Sequence, residues 1–78
     1  EEARTFASYL ERQAGDGVEA QVALALRRTL QRNPTAAEVA RGVEFIRKSQ
    51  HDHQLSAAEG LQRFCVIALN LNEFLFLE

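Results

Sequence analysis

The chain contains no methionine and no tryptophan, one cysteine, one proline and a single lysine, Lys48, among 78 residues. One cysteine, Cys65, excludes a disulfide scaffold and a cysteine-based zinc finger, both of which need thiols in pairs or fours. One proline and four glycines exclude collagen-like and low-complexity classes. The unbroken apolar runs fall far below the roughly 20 residues of a membrane span, so direct membrane insertion is not expected. No surplus of positive charge exists either. Nine basic residues face eleven acidic ones for a net charge of −2, whereas a nucleic-acid binder carries cations to neutralise phosphates, so no nucleic-acid partner is expected. The lack of an initiating methionine reads as an excised piece of a longer protein.

What is present is enough for one small folded domain. The chain is 46% hydrophobic and 26% charged, a balance that folds, and a chain of this size buries only about 60% of its unfolded surface. Four stretches carry helical periodicity. In residues 2–14, Ala3, Phe6, Ala7, Leu10 and Ala14 recur at three- and four-residue spacing, and the run is stopped by Gly15-Asp16-Gly17. From Val18 to about Gln31, Val22, Leu26 and Leu30 repeat every four residues with alanines widening the arc. Pro34 disfavours helix at Asn33, and Thr35-Ala36-Ala37-Glu38 is a capping box opening a third helix that runs to about Ser49, with Val39, Ala40, Val43 and Ile46 inward. A polar loop is expected over residues 50–55. Ser56-Ala57-Ala58-Glu59 is a second capping box, opening a fourth helix to about Leu71 along a stripe of Leu61, Phe64, Cys65, Ala68 and Leu71, thickened by Ile67 and Leu69. The expected fold is all-α, a small antiparallel bundle of four helices with short loops, forming a single domain over residues 1–78.

Chemistry-bearing clusters are few. His51 and His53 flank Asp52 on the expected loop, but two imidazoles fall short of the three or four ligands of a structural metal site, and no bound metal is expected. Cys65 lies mid-stripe, where burial makes a thiol inert. Arg27, Arg28 and Arg32, with Arg41, could hold a phosphate or a partner carboxylate. The favoured reading has them complement the end of the second helix and pair with Glu38 or Glu44. No phosphate-binding loop, dinucleotide fingerprint, nucleophile elbow or zinc-protease motif occurs, so no catalytic residues and no cofactor are assigned. The end of the chain, Phe74-Leu75-Phe76-Leu77-Glu78, is strongly apolar and needs cover. Leu71, Phe74 and Leu75 are expected to pack on the bundle, leaving Phe76 or Leu77 for a neighbour. Phe74, Phe76 and Leu77 are the candidate interaction residues, toward the rest of a parent protein or, in the isolated piece, a second copy of the tail.

Two segments carry a resemblance. Residues 30–38, Leu-Gln-Arg-Asn-Pro-Thr-Ala-Ala-Glu, resemble an L-x-R-x-P-T-x-x-E segment, and Cys65 to Glu78 resembles a terminal C-x-A-L-L-N-S-N-E-F-L-Y-V-D signature. Together they resemble the C-terminal end of the family called domain of unknown function 1553, found in large planctomycete proteins commonly beside planctomycete-type cytochrome c domains. The chain departs from the pattern at Phe76, where tyrosine is usual, and at Glu78, where aspartate is usual. The resemblance implies a secreted, periplasmic or envelope-associated parent of several domains, of which this chain is the C-terminal fragment, and it implies no catalytic residues. The expected function is a non-catalytic packing or interaction module. The competing expectations are an accessory domain lending Arg32 or His51 to an enzyme site elsewhere in the parent, and a small DNA-binding bundle, which the charge disfavours.

Overall fold

The computed structural model describes residues 2–70. They form four helices: α1 (Glu2–Ala14), α2 (Val18–Leu30), α3 (Ala36–His53) and α4 (Ala57–Leu69). No strand occurs among the described residues, and the fold is an all-α bundle. The punctuation is local chemistry. Gly15 ends α1 with φ of +76°, a conformation a side chain would resist. At both capping boxes the reciprocal bonds form. The Glu38 N–H donates to Thr35 Oγ1 (3.1 Å) while the Thr35 N–H donates to Glu38 Oε1 (2.8 Å). The Glu59 N–H likewise donates to Ser56 Oγ (3.1 Å) and the Ser56 N–H to Glu59 Oε1 (2.9 Å).

The connectivity follows from which residues meet. Gly42 of α3 lies against Val22 of α2 and Phe64 of α4, and Gly60, at the start of α4, lies against Ile46 and Gln50, further along α3. Advancing along α4 therefore retreats along α3, and the two are antiparallel. Glu11, near the end of α1, and Ala57, at the start of α4, line one cavity, as an antiparallel bundle places them. Each helix packs on its chain neighbour, α1 closes the ring against α4, and α2 touches α4 across the middle. One end of the bundle thus gathers the start of α1, the end of α2, the start of α3 and the end of α4.

The core consists of Ala3, Ala7 and Leu10 from α1, Val22, Ala25 and Leu26 from α2, Val43 and Ile46 from α3, and Leu61, Phe64, Cys65 and Ala68 from α4. Phe64 sits at its centre, fully buried.

Three details depart from the periodicity. Ala40, expected inward, is exposed, while Gly42 is buried. The backbone of α3 approaches α2 and α4 at Gly42, which turns the buried arc of the helix away from Ala40. Residues 50–53, expected as loop, are the last turn of α3. They include an exposed Lys48 Nζ–Asp52 carboxylate pair at 3.6 Å, and the helix ends when Gln54 turns left-handed (φ 53°). The N–H groups of Gln54 and Leu55 both donate to the Gln50 carbonyl, a Schellman-type closure with glutamine where glycine is usual. Leu69, expected to thicken the core stripe, is 45% exposed, and α4 ends there rather than at Leu71, with Asn70 as its cap. Leu71, Phe74, Leu75, Phe76 and Leu77 lie outside the described residues.

Candidate functional site

Arg27 and Arg28 stand in the last turn of α2, and Gln31 follows them in a left-handed conformation (φ 59°), its N–H donating to the Arg27 carbonyl. That reversal throws Arg32 and Asn33 back alongside the two arginines. Arg27, Arg28, Gln31, Arg32 and Asn33 line a depression of about 540 Å³ that opens broadly to solvent. Each guanidinium has a different environment. Arg32 forms a two-pronged pair with Glu38, Nη1 to Oε1 at 3.1 Å and Nη2 to Oε2 at 2.8 Å, and its Nη1 also donates to the Asn33 carbonyl. Arg28 lies over the Tyr9 ring, 5.2 Å from its centroid, and Tyr9 in turn stacks with Phe6. Arg27 is exposed and has no partner among the described residues.

The expected pairing with Glu38 is thus present for Arg32 alone. Glu44, the other expected partner, is exposed. Arg27 and Arg28 do stand in the last turn of α2, where cations complement the helix dipole, and the Gln31 N–H closes that end on the Arg27 carbonyl.

Glu38 is the electrostatic hinge of this corner. The Arg32 guanidinium, followed by the Thr35 N–H, pulls its carboxyl down to about 2 from an ordinary value near 4.5, while Arg32 is raised by the same bond. A carboxyl lowered in the folded state stabilises the fold above its unfolded value. That contribution is therefore complete above about pH 4.5 and fades as pH falls toward 2.

His51 and His53 are both exposed in the final turn of α3. Residues two apart on a helix point about 200° apart, so these imidazoles diverge and do not form one chelating pair. No group of three or more histidine, cysteine, aspartate or glutamate side chains suited to a metal exists among the described residues. Arg32 stands at the start of α3 and His51 at its end, on opposite ends of the bundle. Cys65 is fully buried, and burial, with a smaller push from Glu11, raises its thiol to about 12.

A second, smaller cavity of about 190 Å³ lies at the opposite end, where Glu11, Asp16, Gln21 and Gln50 surround Ile46 and Ala57. Gln21 is buried, and its Nε2 donates to the Gly15 carbonyl (2.6 Å), tying the start of α2 to the turn that ends α1. Sequence reasoning missed Gln21, Gly42 and the Arg28–Tyr9 stack. A glycine inside an otherwise helical run was the available signal for Gly42. Nothing in the sequence pairs residue 9 with residue 28 until the helices are placed. On α4, Val66 and Leu69 are the large hydrophobic side chains left exposed, at 46% and 45%. No helix among the described residues is long and apolar enough to cross a membrane. No protein-family model, curated protein or solved structure matches the chain.

Proposed function

We propose that the chain is a non-catalytic helical module that packs against the remainder of a larger parent protein, at the C-terminal end of a secreted or envelope-associated chain as the resemblance to the domain of unknown function 1553 implies. The observation that supports this reading is the exposed pair Val66 and Leu69. They stand one turn apart on the outer face of α4, and the apolar sequence Phe74-Leu75-Phe76-Leu77 follows after the four residues 70–73. Large apolar side chains left exposed side by side on a helix are surface open to a partner, since burying each is worth about 1.5–3 kcal/mol. In the isolated chain the nearest substitute for the parent is a second copy.

Sedimentation velocity tests the reading. The unmodified chain is expected to self-associate as its concentration rises, and Phe76→Ser or Leu69→Ser to shift it toward monomer with the helical signal retained. Truncation after Asn72 is expected to lower the melting temperature. A chain that stays strictly monomeric at high concentration, with neither serine substitution changing its behaviour, removes the docking role.

A further inference from the structure

We propose that the corner between α2 and α3 is a docking site for an acidic peptide segment of a partner protein, with Arg27 and Arg28 as the recognising side chains and Arg32 as a fixed wall beside them. The chain as a whole is net negative, yet three guanidinium groups share one depression, and the carboxylate that Arg32 holds, Glu38, offsets only one of them. Arg27 and Arg28 meet no carboxylate among the described residues.

Two of the three are already positioned. Arg32 is held at both prongs by Glu38, which is itself fixed by the Thr35 capping box. Arg28 lies over Tyr9, its Cζ 5.2 Å from the ring centroid, a contact that reduces the freedom it would lose on binding, and its exposed side chain keeps N–H donors for a carboxylate. Gln31 and Asn33 add amide donors along the same rim. Gln31 keeps a left-handed backbone that brings Arg32 round to the arginines of α2.

The shape selects the ligand. A small phosphorylated metabolite is held in a concave pocket that buries most of its surface, and this depression is too open for that. An extended chain carrying carboxylates along its length lies across an open basic surface, and arginine and tyrosine are the residues that dominate such contacts. The surface shares no residue with the exposed face of α4, so docking here and docking through Val66 and Leu69 can succeed or fail separately.

The test is a titration of the isotope-labelled full chain with an end-blocked peptide of alternating aspartate and glutamate, followed by amide chemical shifts at about 20 mM salt, where screening is weak. Shifts are expected at residues 27–33 and at Tyr9, with affinity falling as salt rises. Arg27→Gln combined with Arg28→Gln is expected to weaken binding at least about tenfold, the loss of one or two charge-assisted bonds. Removing the same charge elsewhere, with Arg12→Gln and Arg47→Gln, should leave binding nearly unchanged, and melting curves of both double variants check the fold. Arg28→Lys, which keeps the charge and loses the guanidinium fork, should fall between. Equal weakening by both double variants, or shifts spread over every cationic residue, overturns the site. Inorganic triphosphate shifting residues 27–33 while the peptide shifts nothing also overturns it, in favour of a phosphate ligand.

Discussion

Cys65 sits one residue after Phe64 in the most buried stretch of α4, and that placement decides its chemistry. A thiol becomes a nucleophile only as thiolate, and forming a charge inside the packed core is opposed by lost solvation, with Glu11 adding a smaller repulsion. Labelling of the native chain by a thiol reagent is expected to be slow and to accelerate in denaturant. Labelling at the rate of a free cysteine would place the thiol at the surface. The pH dependence has a definite sign. The folded value is raised from 9 to about 12, so the buried thiol contributes fully to stability below pH 9, and that contribution is lost as pH rises from 9 toward 12. Alkaline unfolding that begins earlier in the native chain than in Cys65→Ala, after correcting each for its stability at neutral pH, is the expected signature. This behaviour was legible in the sequence, because Cys65 shares the stripe of Leu61, Phe64 and Ala68. Gln21 was not legible. A lone glutamine in an apolar helix gives no hint that it will be buried until the turn at Gly15 supplies a carbonyl for it to reach.

At the scale of the helix, the two capping boxes mark the starts of α3 and α4 to the residue, because each depends on atoms three positions apart and on nothing distant. Thr35→Ala and Ser56→Ala are each expected to cost about 1 kcal/mol in chemical denaturation, since each leaves an N–H at a helix start without its side-chain acceptor. Both variants keep the backbone N–H that donates to the glutamate, so the Arg32–Glu38 pair is expected to survive in Thr35→Ala. If neither variant loses stability, the caps do not contribute as drawn. Helix ends were harder to read than helix starts. The last turn of α3 consists of Gln50, His51, Asp52 and His53, which carry no apolar periodicity. It carries the exposed Lys48–Asp52 pair, worth at most about 1 kcal/mol, and closes at left-handed Gln54. Both α2 and α3 close on a left-handed glutamine, where the usual sequence mark is glycine. The arginine corner was legible as a cluster of charge. Its geometry was not, since it depends on the reversal at Gln31 and on Tyr9 from another helix.

Across the whole molecule, the glycines within helices govern how closely the elements approach. A Cβ added at Gly42 would lie 2.6 Å from Val22 Cγ1 and 3.1 Å from Phe64 Cε1, both within the core. One added at Gly60 would meet Gln50 Cγ at 3.0 Å and Ile46 Cγ2 at 3.3 Å, the former on a long side chain able to swing away. Gly42→Ala is therefore expected to destabilise by about 1–3 kcal/mol, because overpacking among three helices outweighs the gain in helix propensity. Gly60→Ala should be nearly neutral. Thermal melts in which Gly42→Ala equals or exceeds the unmodified chain would show that α2, α3 and α4 do not meet as described. The antiparallel closure of α1 on α4 has a mechanical meaning as well. The start of α1 and the end of α4 lie at the same end of the bundle, so a pull on the chain through these two points acts across the seam between the helices. Such a load parts the seam one turn after another from its open end, where a load along the seam would have to shear every contact together. A pull applied at the start of α1 and the end of α4 therefore needs less force than one that slides α1 along α4.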